Sequence, residues 1–320
     1  MTSLLRFSLV SLAATSCALG AVACKSNASS PAPEAASSSP LRLEADKRPR
    51  MRLLPGLKEQ RPKPMPLASA LPIPAASVDQ AVNPRNLPAY SGPTGVVEGV
   101  VRFKGEKPQN VALQLPDACS GAAAMYGSSF REGPGRTAAD VLVAVTDYDA
   151  YVPAPGPNVR VSVNNCAYDR RTIAMTFGQR LEVLNDDSKN SYVPMLIGDT
   201  APAHMVAVPH GDPIKLYPER VGHYLLEDEM NRPWMKADVY VVKYATFAVT
   251  GMDGVFRIEG IPVGKVKVTA DVPWIVPGIE HTVEATVEAG KTTKLDFTLD
   301  VQKSPAPAGS ASAAPSSSVK

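Results

Sequence analysis

Val97-Glu98-Gly99-Val100-Val101-Arg102-Phe103 alternates apolar and polar side chains over most of its length, and runs of this kind recur down the chain. Val141-Leu142-Val143-Ala144-Val145 and Val159-Arg160-Val161-Ser162-Val163 are the next two. Residues that return to one face with a period of two belong to extended strands, and Gly, Pro and Asn punctuate these runs as strand ends require. Further strands are predicted at 172–177, 180–185, 214–216, 222–226 and 237–242. That number of short strands at that spacing predicts an all-β protein of the sandwich class.

Both flanks differ from this centre. The chain has 320 residues, but its ends are too poor in core-forming side chains to fold, which leaves roughly Gly95 to Val301 for globular structure. Residues 24–92 are rich in Pro, Ala and Ser with no sustained period, and read as a disordered tether; residues 302–320 read as a disordered tail. The tether carries Lys47, Arg48, Arg50, Arg52, Lys58, Arg61 and Lys63 against Glu59. Such a run suits an anionic envelope surface and equally suits a solubilising linker. The formal net charge of +2 is no nucleic-acid footprint, so DNA and RNA are not expected partners.

Residues 1–23 read as an export signal, with Arg6 before an apolar stretch and small residues at its end. The stretch is too short and interrupted to span a membrane. Ala21-Val22-Ala23-Cys24 resembles a bacterial lipobox, which implies a lipid anchor on Cys24 and a place in the cell envelope, periplasm-facing or at the surface, with Lys25 favouring the outer membrane. Of the four cysteines, Cys17 leaves with the signal and Cys24 is taken by lipid. Cys119 and Cys166 remain as an even pair in an oxidising compartment, and a disulfide is expected, two separate buried thiols being the other possibility.

Glu229-Met230-Asn231-Arg232-Pro233-Trp234-Met235 has the outline of a short copper-ligand loop, Cys-x-x-His-x-x-Met, and Asn185-Asp186-Asp187 stands where the preceding histidine ligand would follow a turn. On these residues the stretch from about Val96 to Val242 resembles the cupredoxins, specifically amicyanin-like and plastocyanin-like members. The resemblance implies a Greek-key β-sandwich, placed at 95–243. It also implies a copper site at Ser191, Glu229, Arg232 and Met235, but those positions have lost the donors. A carboxylate replaces the thiolate, a fixed cation replaces an imidazole, and only the weak thioether of Met235 is left. Glu229 and Arg232, opposite in charge and three apart, are expected to pair across the loop. No metal and no cofactor are therefore expected. The alternative is copper carriage or electron transfer through displaced donors, His204, Met205, His210 and His223, with Met195 and Met230 as further thioethers.

A second signature follows the first. Thr250-Gly251-Met252-Asp253-Gly254-Val255-Phe256-Arg257-Ile258-Glu259-Gly260-Ile261-Pro262-Val263-Gly264 joins two strands through a turn, and it resembles the carboxypeptidase regulatory-like, transthyretin-type domains. The resemblance covers about Phe247 to Leu299 and implies a smaller transthyretin-like sandwich at 244–301, whose Asp-Gly and Pro-x-Gly positions are turns.

Enzyme chemistry has no support in the chain. There is no Gly-x-Ser-x-Gly elbow, no His-Glu-x-x-His and no phosphate-cradling glycine loop, and the acids at Asp186-Asp187 and Glu227-Asp228-Glu229 read as solvated faces. The expectation is a non-catalytic binding or structural module, anchored to the membrane through Cys24, with an envelope protein or glycan as partner. Trp234 and Trp274 with Tyr192, Tyr224 and Tyr240 are candidate contact residues, although the Pro-Trp-Met turn favours burial of Trp234. Pro273 to Pro277 is the better apolar patch.

Overall fold

The computed structural model describes residues 71–198, 202–272 and 279–301. The export signal, Cys24, the basic run, the 273–277 patch with Trp274, and the 302–320 tail lie outside the described residues. In chain order the elements are α1 (Ala75–Val82), β1 (Thr94–Gly105), α2 (Ala122–Tyr126), β2 (Leu142–Thr146), β3 (Asn158–Asn164), β4 (Ala167–Tyr168), β5 (Thr172–Thr176), β6 (Arg180–Asn185) and β7 (Pro194–Ile197). They continue with β8 (Ile214–Leu216), β9 (Gly222–Asp228), β10 (Lys236–Val242), β11 (Phe247–Val249), β12 (Val255–Pro262), β13 (Gly264–Val272), β14 (Ile279–Val287), β15 (Thr292–Lys294) and β16 (Phe297–Val301). The protein is all-β in class, and the strands read from the period of two are present within three residues of their expected bounds.

The strands form two sandwiches. In one, the sheets run β4-β3-β6-β8 and β5-β10-β9-β7. Parallel pairs β3 with β6 and β10 with β5 sit among antiparallel neighbours. Val161, Val163, Leu181 and Val183 from one sheet meet Ile173, Met175, Leu226 and Val239 from the other in a single buried cluster. In the second sandwich, β11-β2-β13-β14 faces a sheet in which β1 lies between β12 and the pair β15 and β16. Its core is Val97, Val101, Phe103, Val143, Val145, Phe256, Ile258, Val268 and Leu299 with their neighbours.

This pairing corrects the division at 243/244. β1 and β2 belong to the C-terminal strands: β1 is antiparallel to β12, with Val97 opposite Ile258, and β2 is antiparallel to β11 and β13. The first sandwich is thus inserted into the second, which is split between 94–146 and 247–301. Alternation says that Val97, Val101 and Phe103 face a core, but it does not say which core, because strand partners are non-local. β1 also changes partner midway. It runs parallel to β15 at Val96–Glu98 and parallel to β16 from Val101 to Gly105. Asp296, at the break, accepts the Val100 N–H at 2.8 Å. A Cβ on Gly99 would lie 2.0 Å from the Leu295 carbonyl oxygen, so this approach admits only glycine.

One further expectation changes. The tether does not extend to residue 92: 75–82 is helical, and Ile73, Val78, Ala81 and Val82 pack on the core of the inserted sandwich. The insertion between β1 and β2 contributes Cys119, Ala122 and Tyr126 to that same core. Phe130 returns the chain to the split sandwich by packing edge-on against Phe103, centroids 4.8 Å apart. Among the described residues no helix is long and apolar enough to cross a membrane.

Candidate functional site

The Glu229–Met235 loop joins β9 to β10 at one end of the inserted sandwich. Its backbone turns tightly: Asn231 has φ +56°, the Asn231 N–H reaches the Glu229 carbonyl at 2.9 Å, and the Met235 N–H reaches the Arg232 carbonyl at 2.9 Å. That turn carries Arg232 back toward the strand end. Its Nη1 donates to Asp228 Oδ2 at 2.7 Å and to the Ser191 carbonyl at 3.2 Å. The guanidinium lies 4.5 Å from the centroid of the Tyr192 ring. The Asp228 side chain is 0% exposed and that of Arg232 14%, and Asp228 Oδ1 also accepts the Val193 N–H at 2.7 Å. Both oxygens of this buried carboxylate are thus hydrogen-bonded, as burial of a polar group requires.

Arg232 therefore does not pair with Glu229, as its spacing suggested. Glu229 reaches instead to His204, Nδ1 to Oε2 2.7 Å, with both side chains about half exposed. Residues i and i+3 neighbour one another on a helix, and this segment is a turn.

Tyr192 connects this pair to the preceding loop. Its hydroxyl donates to Asp187 Oδ2 at 2.7 Å and accepts the Cys166 N–H at 3.1 Å. Asp187 also accepts from Lys189 N, Asn190 N and Asn190 Nδ2. Burial would raise its pKa, but the hydrogen bonds from Asn190, Lys189 and Tyr192 outweigh burial and hold the carboxyl well below the usual range. Burial together with the bond to Asp187 pushes the Tyr192 phenol up. Asn185 pins the loop's other side, its Nδ2 donating to the carbonyls of Asn190 and Ala207 at 2.8 Å each. Asp187 and Asp228 are thus buried network members and not the solvated faces read from sequence.

Cys166 is disulfide-bonded to Cys119, as expected. The bridge ties the β1–β2 insertion to the inserted sandwich directly beside this network, and the Cys166 carbonyl accepts the Trp234 indole N–H at 3.1 Å. Trp234 is half-buried and packs on the core. Tyr192 and Tyr224 are buried, 0% and 2% exposed, so neither offers a contact surface.

The remaining candidates are dispersed. Met235 is 0% exposed and belongs to the core; Met205 packs partly against it. Ser191 contributes its carbonyl to Arg232. His210 is exposed and serves through its backbone, its N–H reaching the Asn185 carbonyl at 2.9 Å. His223 stands on β9, its Nε2 2.6 Å from Asp238 Oδ1 and its ring 4.8 Å from Tyr240. The bond to Asp238 raises its pKa against the opposing effect of burial. Among the described residues no three His, Cys, Asp or Glu side chains group closely enough to hold a metal ion. The donor set does not fit copper: the position that would carry an imidazole holds a cation already bound to a buried acid.

No family model and no curated protein matches the chain. Solved structures similar to part of it include amicyanin from Paracoccus versutus, 16% identical, covering 31% of this chain and 97% of that one at a TM-score of 0.24. Reduced auracyanin from Roseiflexus castenholzii is 15% identical, over 28% of this chain and 99% of that one, TM-score 0.24. A purple cupredoxin from Nitrosopumilus maritimus is 18% identical, over 26% and 98%, TM-score 0.22. Likeness of this size is too low to bear on chemistry.

Proposed function

We propose that the chain is a non-catalytic, metal-free binding or structural module of the bacterial cell envelope, anchored through lipid on Cys24. In this reading the inserted sandwich is cupredoxin-like, and the split sandwich is of the transthyretin or carboxypeptidase regulatory type. The observation that supports it is the Arg232–Asp228 pair seated on Tyr192. A metal at this loop would have to displace a guanidinium from a fully buried carboxylate, at a cost of several kcal/mol, about 3–5.

The experiment is a titration of the purified mature protein with Cu(I) and with Cu(II), followed by elemental analysis and visible absorption. A colourless protein with no binding tighter than about micromolar, near 8 kcal/mol, is the expected result. Stoichiometric copper retained through gel filtration sinks the metal-free reading and favours the displaced donors. Radiolabelled palmitate incorporation that disappears in Cys24→Ser tests the anchor separately.

A further inference from the structure

Away from the loop, a cavity of about 310 Å³ lies where the chain passes between the two sandwiches. The outgoing crossover contributes Tyr148, Asp149 and Tyr151, the returning one Lys243 and Tyr244, and the segment after α1 contributes Arg85. The strap that closes it is held by backbone, the Tyr90 N–H reaching the Tyr151 carbonyl at 2.8 Å. We propose that this cleft binds an anionic saccharide, one or two pyranose rings carrying a carboxylate. The inference deepens the binding-module reading by naming a ligand class, and rests on it only in that the chain is a binder.

Three tyrosines line the cavity. Tyr148 is buried, with its hydroxyl accepting from Thr246 Oγ1 at 3.0 Å, and Tyr244 packs edge-on against it, centroids 4.8 Å apart at 71°. Burial pushes the Tyr148 phenol up to about 12, so it stays a neutral wall. Tyr151 and Tyr244 are half-buried, and among the described residues their hydroxyls have no hydrogen-bond partner. Lys243 is exposed and enters no ion pair among the described residues. At the rim Arg85 and Asp149 pair with each other.

A pyranose has C–H faces that pack on aromatic rings and hydroxyls that both donate and accept, as phenols do. A purely apolar ligand would leave the two phenols and the ammonium without partners. A carboxylate on the sugar supplies the counter-ion for Lys243 and a fork acceptor for Arg85, while Asp149 accepts from ring hydroxyls. The volume stands at the lower end of ligand-sized cavities, about 300–1,000 Å³, and crevices between domains are a usual place for them. Because both of these crossovers line the cleft, an occupant touches the connection from β2 to β3 and the one from β10 to β11.

The test titrates the full-length mature protein with digalacturonate, and with cellobiose as the uncharged control, by calorimetry and saturation-transfer NMR. Digalacturonate is expected to bind saturably and cellobiose at least tenfold more weakly. Lys243→Met, at an exposed position, is expected to weaken digalacturonate about tenfold, near 1.4 kcal/mol, and Tyr151→Phe by a smaller factor, with melting curves unchanged. No saturable binding of digalacturonate up to about 10 mM, a threshold near 3 kcal/mol, overturns the proposal. So does equal affinity in Lys243→Met, or equal affinity for cellobiose. Copper uptake at the loop would leave these outcomes untouched, so failure here and failure of the metal-free reading are distinguishable.

Discussion

Two connections between successive strands, one within a sheet and one between facing sheets, do the same job in this molecule by different means. At the end of the inserted sandwich, the β9–β10 loop is fixed by charge and aromatics: Asp228 holds Arg232, Arg232 covers Tyr192, and Tyr192 reaches Asp187. In the split sandwich, the turn from β11 to β12 is fixed by backbone and hydroxyl bonds. Thr250 Oγ1 donates to the Ala138 carbonyl at 2.6 Å and accepts the Val141 N–H at 3.0 Å. Gly254 takes φ +66° with its would-be Cβ 2.5 Å from the Val101 carbonyl, and Asp253 Oδ1 accepts the Val255 N–H. The first loop holds a connected network of side chains; the second is held by separate bonds to β1 and to the segment that leads into β2. The turn is thus held mainly by hydrogen bonds to neighbouring backbone, whereas the loop is held by side chains that pair with one another.

Replacing both Cys119 and Cys166 by serine opens a closure spanning 47 positions of sequence separation. It is expected to cost about 4 kcal/mol in urea unfolding, and hydrogen exchange is expected to rise in the β1–β2 insertion and around Tyr192. If protection around Tyr192 is unchanged, the bridge does not belong to the loop network. Arg232→Met leaves Asp228 with one neutral partner and is expected to cost about 3 kcal/mol. The double variant Arg232→Met, Asp228→Leu is expected to recover much of that loss, and a double variant no better than the single one refutes the paired-charge account.

Thr250→Val removes two buried hydrogen bonds at the turn. The expected loss is about 1–3 kcal/mol, felt as faster exchange at Val141 and Gly254 with the β9–β10 loop unmoved. A loss of protection reaching Tyr192 would show that the two sandwiches are not independent. The smallest effect expected is pH dependence from His223. Its pKa is raised above the ordinary 6.5 by Asp238. Its stabilisation is therefore complete below that value and fades as pH rises through the raised one. Melting temperature should fall slightly from pH 6 upward in the parent and less in His223→Gln; parallel curves for the two proteins remove His223 from the account.

Much of this fold was legible because its signals are local. Val159–Val163, Thr172–Thr176 and Lys236–Val242 are short runs bounded by turn residues, and each is a strand. The Asp253-Gly254 turn and the cysteine pair could also be read from residue types alone. What could not be read was partnership. β1 meets β12 across about 160 residues of chain, and no residue of Val97 to Phe103 records that choice. The loop shows the same limit at the scale of one side chain. Arg232 had acids at 227, 228 and 229 within reach, and only the left-handed turn at Asn231 decides that Asp228 receives it. Tyr192 and Asp187 had a faint signal in the Asn185-x-Asp187 turn, but an aromatic four to five residues beyond an Asx turn does not announce that its hydroxyl will close a network.

The insertion also sets an order in time. The last strand of the inserted sandwich ends at Val242, while the split sandwich lacks its final strand until Val301. A chain emerging N-terminus first therefore has the inserted sandwich complete some sixty residues before β16 appears. β1, the first of the described strands to be synthesised, must wait the longest for β12, β15 and β16, with Val97, Val101 and Phe103 still to be covered. Anything that caps β1 during this interval would help the chain fold without being needed once β16 is in place.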